Sequence, residues 1–297
     1  MILLIVLLAY AFYYFAIKMR LIKQVFIVTI LSFLTGCQKK QNIKYTLPID
    51  PKSLFISFQV HYADTSAYFI YDTHSDGSAI FVQNDHHNFN IIKQKIVNKD
   101  VEMNTVEIDS VYIEDIFVDK FRATLAPDEG TFKEMGIKGL LGFNFIRNSN
   151  IIIDFQNNLF IAQTDDINPD DFDFSLDYHL GDYNLPYITA IFNNKDTVQL
   201  KVDTGYNGSV RLSSNSVNFS NKEITFEESN EHTIAGSGGI RIAHFNSDME
   251  IQNRIFKNLK TGYVEGGKNH CLLGIEFFRM FNRFCFDIQN KKIYFKL

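Results

Sequence analysis

Cysteine is scarce: Cys37, Cys271 and Cys285 are the only three in 297 residues. Three cysteines cannot build a disulfide framework, so stability must come from packed cores. Cys271 and Cys285 either pair in an oxidising compartment or stand as buried free thiols, and the second is the expectation. A basic run is missing too. The net charge is −5. The first 36 residues hold Lys18, Arg20 and Lys23 and no acid, so the rest carries 26 basic against 34 acidic residues, or −8. Such an acidic body, with lysines scattered, argues against nucleic acid as a partner. Metal ligands at workable spacing are also lacking. His86-His87 sits in a polar loop over 83–90 with no Cys or Glu placed to join it, and reads as surface. The glycines at 236–239 are followed by no Gly-Lys-Ser/Thr, which excludes a phosphate loop. No metal and no cofactor are expected. What is present is 46% hydrophobic and 14% aromatic content. That describes a globular chain with substantial cores, long enough for two domains.

Residues 1–36 are almost wholly apolar, broken at Lys18-Met19-Arg20. Two readings compete: a short transmembrane segment over 2–17 followed by a second apolar run, or a signal peptide whose true start is Met19. In the second, Arg20 and Lys23 are the basic region, 25–33 the apolar one, and Leu34-Thr35-Gly36-Cys37 the cleavage site. Those four residues resemble a bacterial lipobox. The resemblance implies a diacylated Cys37 as the new N-terminus, a tether over 37–50, and a lipoprotein of the cell envelope facing the periplasm.

The remainder repeats itself. Phe69-Ile70-Tyr71 leads into Asp72-Thr73, and Leu200-Lys201-Val202 into Asp203-Thr204. Gly77-Ser78 and Gly208-Ser209 follow five residues after each Asp. Gly139-Leu140-Leu141-Gly142 answers Cys271-Leu272-Leu273-Gly274, and closing strands carry Asp154 and Asp287. The offset drifts only from 131 to 132 to 133 across these marks, as two single-residue insertions would give. The pattern therefore reads as a tandem duplication. Alternating apolar residues predict short strands over 53–62, 67–71, 105–118 and 121–125. Brief helices are predicted after each Leu-Leu-Gly, over 143–147 and 275–280. Residues 165–177 hold six Asp in thirteen and read as a solvated linker in preference to a calcium site. Asp154 and Asp287 each precede a turn, which suggests structural hydrogen bonding.

An apolar strand ending in Asp-Thr-Gly, with apolar-apolar-Gly about seventy residues on, resembles the retropepsin and pepsin family of aspartic proteases. The likeness covers 51–297 and is strongest at Val202-Asp203-Thr204-Gly205. It implies an all-β fold of two tandem acid-protease-like β-barrel domains related by a pseudo-two-fold, with a short helix after each Leu-Leu-Gly. The domains would be 51–165 and 181–297, joined by an acidic linker over 166–180. It also implies a catalytic pair, Asp72 and Asp203, sharing one proton to activate water against a peptide bond. Thr73 and Thr204 would brace the loops, Gly205 would permit their approach, and Gly236, Ser237, Gly238 and Gly239, after Ala235, would form the flap. The implied partner is a peptide or protein substrate, and the implied state a monomer.

The first copy departs from the motif, reading Asp72-Thr73-His74. A His at the meeting point of the loops is expected to turn outward or push them apart, and it adds a titratable charge beside the pair. Residues 101–125 contain no glycine, so the first copy lacks a Gly-rich flap. Three functions stay open: an aspartic endopeptidase using Asp72 and Asp203, a degenerate lipoprotein that binds peptides or proteins in the same cleft, or an enzyme pairing Asp203 with Asp203 of a second molecule. For the leader, replacing Cys37 with Ser should release the protein from membranes. Unchanged detergent partitioning together with an unmodified polypeptide mass would rule lipidation out.

Overall fold

The computed structural model describes residues 44–62, 64–82, 89–97, 101–128, 130–146, 149–219, 223–233, 236–266 and 271–297. Cys37 with its leader, the His86-His87 pair and Ala235 lie outside them. Among the described residues the regular structure is almost wholly strand. The first half runs β1 (Lys44–Pro48), β2 (Ser57–Tyr62), β3 (Thr65–Asp72), β4 (Ser78–Val82), β5 (Asn90–Val97) and β6 (Val101–Ile108). It continues through β7 (Val111–Ile113), β8 (Ile116–Val118), β9 (Phe121–Pro127), helix α1 (Gly130–Glu134), β10 (Ile137–Gly142), β11 (Asn150–Asp154) and β12 (Leu159–Gln163). The second half runs β13 (Phe174–Asp177), β14 (His179–Leu180), β15 (Pro186–Phe192), β16 (Asp196–Asp203), β17 (Val210–Ser213) and β18 (Glu227–Thr233). It ends with β19 (Gly236–Ile251), β20 (Arg254–Val264), β21 (Leu272–Gly274), helix α2 (Ile275–Phe278), β22 (Arg283–Asp287) and β23 (Lys292–Lys296).

Each half makes its own sheet, and the two sheets share an order. From the Asp-bearing strand outward, β3-β10-β4-β9-β6-β5 matches β16-β21-β17-β20-β19-β18, with β2 and β15 on the other flank. The senses match as well: β3 with β10 and β16 with β21 are parallel, as are β4 with β9 and β17 with β20. Leu-Leu-Gly thus lies beside the Asp-bearing strand in both halves. A one-turn 3-10 helix, Phe143–Ile146, follows the first Leu-Leu-Gly, and α2 follows the second. This is an all-β fold, as expected, with a short helix after each Leu-Leu-Gly.

The halves differ in continuity. The single strand expected over 105–118 is three, because Ser110 and Glu114 take left-handed backbone at φ 61° and 52° and turn the chain twice. In the second half β19 passes the equivalent point on a register shift between Ser247 and Met249 and stays one long strand.

A third sheet joins the halves in the order β1-β12-β11-β22-β23-β13. Its central pair is antiparallel, with Ile151 opposite Phe286 and Ile153 opposite Phe284. The outer strands correct two expectations. The tether foreseen over 37–50 does not hold for 44–48, where Leu47 is fully buried and β1 pairs along β12. The acidic linker over 166–180 is not loose either. Leu176 and Tyr178 are buried and Phe172 and Phe174 half-buried, alternating with exposed Asp173 and Asp177. That period-2 pattern makes β13 an edge strand of the sheet. Asp173 and Asp177 there pair with Lys296 and Lys292 of β23 and its end.

The residues Ile43–Leu297 form one compact unit whose apolar core runs through both halves. Phenylalanine fills it. Phe174 stacks on Phe295 at 4.9 Å, Phe281 meets Phe295 at 4.6 Å, and Phe278 meets Phe284 at 4.6 Å. Cys271 and Cys285 are buried free thiols within this packing. Asp154 and Asp287 close equivalent turns, each accepting from the backbone and side-chain amides of the Asn three residues on, Asn157 and Asn290. Phe160 of β12 is fully buried between Phe58 and Tyr71, at ring distances of 5.0 and 5.2 Å. Phe160→Ala should cost about 3–5 kcal/mol in urea unfolding. Ile255→Ala, at a side chain 61% exposed, should stay within about 0.5 kcal/mol.

Candidate active site

Strands β3 and β16 end on Asp72 and Asp203, and the loops beyond them meet back to back. The backbone N–H of Thr73 donates to Thr204 Oγ1 at 3.1 Å, and that of Thr204 donates to Thr73 Oγ1 at 3.0 Å. Each hydroxyl then donates across the junction, Thr73 Oγ1 to the Val202 carbonyl at 2.8 Å and Thr204 Oγ1 to the Tyr71 carbonyl at 2.7 Å. Both threonines are fully buried, so all four bonds are shielded from water.

The Leu-Leu-Gly strands set these loops from below. A Cβ on Gly142 would strike the carbonyl oxygens of Ser75 and Gly77, and one on Gly274 those of Tyr206 and Gly208. The loops are tied to the turn that follows, Phe143 N–H donating to the Ser75 carbonyl at 2.8 Å and Ile275 N–H to the Tyr206 carbonyl at 2.9 Å. Glycine is therefore demanded by close backbone approach.

The two carboxylates are held alike. Asp72 Oδ1 accepts from the His74 N–H at 2.8 Å, and Asp203 Oδ1 from the Gly205 N–H at 3.0 Å. The carboxyl groups face one point: a Cβ on Gly205 would lie 3.2 Å from Asp72 Oδ1 and 3.2 Å from Asp203 Oδ1. A Cβ on Gly205 would sit 2.9 Å from Asp72 Cγ, so glycine there leaves room for the partner carboxyl. Burial, then the negative charge of Asp203, pushes the Asp72 carboxyl up to about 7.

His74 occupies the position equivalent to Gly205 and neither turns away nor parts the loops. All four threonine bonds stand, and the imidazole lies inward with Nδ1 3.4 Å from Asp203 Oδ2. Its side chain is 32% exposed, which gives the ring the room that a fully enclosed junction would deny. Burial lowers its affinity for a proton, but the hydrogen bond to Asp203 and the charges of Asp203 and Asp72 outweigh that, and the net direction is up.

The glycines at 236–239 lie on the β18–β19 hairpin, with Gly236 opposite Thr233, Ser237 opposite His232, Gly238 opposite Glu231 and Gly239 opposite Asn230. Open space surrounds the Cβ positions of Gly238 and Gly239, so close contact does not demand glycine there. On the far side β18 comes up against α1 of the first half. The first half carries a hairpin at the equivalent place, β5 with β6, built without glycine in its described part. Tyr206, unremarked in the sequence, wedges its ring against Gly208, Gly262 and Gly274 in the loop after Gly205. The signal for it was those three glycines spaced around one aromatic residue. Among the described residues no group of three or more His, Cys, Asp or Glu is arranged to hold a metal ion.

No protein-family model matches this chain, and no curated protein is similar to it. Among solved structures it is similar to a retropepsin-like aspartic protease from Rickettsia conorii, at 20% identity over 41% of this chain and 90% of that one, with a TM-score of 0.31. It is also similar to basic 7S globulin from soybean, at 8% identity over 86% of this chain and 94% of that one, with a TM-score of 0.45.

Removing the Thr204 hydroxyl strands the Thr73 N–H and the Tyr71 carbonyl in a dry interior. Thr204→Val should therefore cost about 2–4 kcal/mol, while Thr204→Ser, which keeps the oxygen, should cost less than half of that. Equilibrium denaturation of both variants decides it; equal losses would show that the methyl and not the hydroxyl matters.

Proposed function

We propose that this chain is an aspartic-type endopeptidase whose dyad is Asp72 and Asp203. The observation that carries the reading is the pair of carboxyls braced back to back by Thr73 and Thr204; burial and the charge of Asp203 push the Asp72 carboxyl up to about 7. Two adjacent carboxyls cannot both ionise cheaply, so one proton is shared between them. Ionised Asp203 takes a proton from water as the water oxygen bonds to the peptide carbonyl carbon, and Asp72 gives its proton to the carbonyl oxygen. The C–N bond then breaks. The departing nitrogen takes the proton from Asp203, and a hydroxyl of the diol returns one to Asp72. Asp72 supplies within one chain the partner that a second molecule's Asp203 would otherwise provide, which favours a monomer. The β18–β19 hairpin is the candidate flap. Anchoring through Cys37 rests on the sequence at 34–37.

A second reading, a peptide- or protein-binding lipoprotein without catalysis, is favoured by one contact. His74 reaches Asp203 Oδ2, the oxygen left free by the Gly205 N–H, and a catalytic water would compete for it. Cleavage of a peptide library by the purified protein separates the two. Asp72→Asn and Asp203→Asn should each reduce kcat by at least about 100-fold, as expected for removing half of an acid–base pair. Activity needs Asp72 protonated and Asp203 ionised. It should therefore fall as pH rises through about 7, where Asp72 loses its proton, and fall again in acid once the pair holds a second proton. Peptide binding without cleavage at any pH, unaltered by Asp203→Asn, would establish the binding reading.

A further inference from the structure

Everything the backbone does at the dyad is symmetric. Each Oδ1 accepts one N–H from two residues on, and each threonine makes the same pair of bonds as its counterpart. Nothing in that frame decides which carboxyl is the acid. The first break in symmetry is at one position, an imidazole at His74 against a hydrogen atom at Gly205. We infer that His74 is the charge partner of Asp203: its imidazolium, 3.4 Å from Asp203 Oδ2, holds that carboxylate ionised and leaves the shared proton on Asp72. The inference rests on the dyad reading and makes His74 a positioning residue for it, where the sequence alone suggested an obstruction.

The charges facing the ring agree with this. Asp72 adjoins it on its own loop and Asp203 faces it from the end of β16; both favour the imidazolium, while Lys201 of β16 opposes it. Asp203 is the less exposed partner of the ion pair, its side chain 11% exposed against 32% for His74, so water screens their attraction incompletely. The upward directions at Asp72 and His74 both favour a proton on those two groups. The sign for pH follows. A cation beside Asp203 makes that carboxylate harder to protonate, so it carries the acid side of the active range to lower pH. Removing the cation should move that side upward.

The test is a titration of the full-length protein with isotope-labelled histidine and aspartate, in detergent, read by NMR. The His74 signal is identified by its loss in His74→Gln. Asp203→Asn should lower the His74 midpoint by about one pH unit, and His74→Gln should raise the Asp203 midpoint by a similar amount. His74→Lys, which keeps a cation, should restore most of that second shift. In cleavage assays the acid limb should move upward in His74→Gln and in His74→Gly. Titrations of His74 and Asp203 that ignore each other, in an enzyme that still cleaves, would overturn the charge partnership and leave the peptidase standing. A uniform gain in rate for His74→Gly with no movement of the acid limb would overturn it as well, since His74 would then act only by bulk. Coupled titrations with no cleavage by any variant would support the partnership and overturn the peptidase.

Discussion

The junction of Thr73 with Thr204 is the constraint around which the remaining structure is arranged. Two loops must come within hydrogen-bonding distance through both backbone and side chain, in a place where unmet polar groups are costly. That closeness dictates the neighbours. The two Leu-Leu-Gly strands need glycine where they pass under the loops, and their leucines are buried on either side of the sheet. Asp72 and Asp203 are then presented with one oxygen each tied to backbone, and the second oxygen of Asp203 faces the His74 imidazole.

Bringing two sheets to one junction requires something to hold the halves in register, and the six-stranded sheet does this. Its central strands, β11 and β22, come one from each half, and its edge strands β1 and β13 pair with β12 and β23 in the same way. The phenylalanine packing behind it is continuous with both halves. Phe160 touches Tyr71, and Tyr71 both precedes Asp72 and supplies the carbonyl that Thr204 grips. One ring contact and one hydrogen bond thus connect the joining sheet to the loops that carry Asp72 and Asp203. Rigidity at a site of this type depends on such supporting layers as much as on the acting groups.

The parts that sequence reading found are those that repeat. Asp72, Thr73, Asp203, Thr204 and both Leu-Leu-Gly strands stood out because the same residues recur at nearly constant offset, and the all-β texture followed from alternation. The parts it missed depend on partners distant in the chain. Strand β1 pairs with β12 more than a hundred residues later, and β13 with the C-terminal strand β23. Neither edge strand has the length or apolar run that betrays a strand locally. In β13 the density of Asp masked an alternation of Phe172, Phe174, Leu176 and Tyr178 that was present all along. The breaks at Ser110 and Glu114 were hidden because neither residue type announces a left-handed turn as glycine does.

His74 was misjudged for a different reason, and the error is instructive. A glycine in a motif states that a Cβ is unwelcome, but it does not say what the Cβ would meet. At Gly205 it would meet the carboxyl of Asp72, across a nearly symmetric junction. The counterpart at His74 meets the carboxyl of Asp203, and for an imidazole that is an attractive neighbour where for an aliphatic chain it would be a steric and desolvation penalty. The same symmetry that makes glycine the default on both sides makes a cationic side chain tolerable on one. Where two loops are otherwise alike, the one difference at the junction, His74 against Gly205, is what distinguishes the surroundings of their two carboxyls.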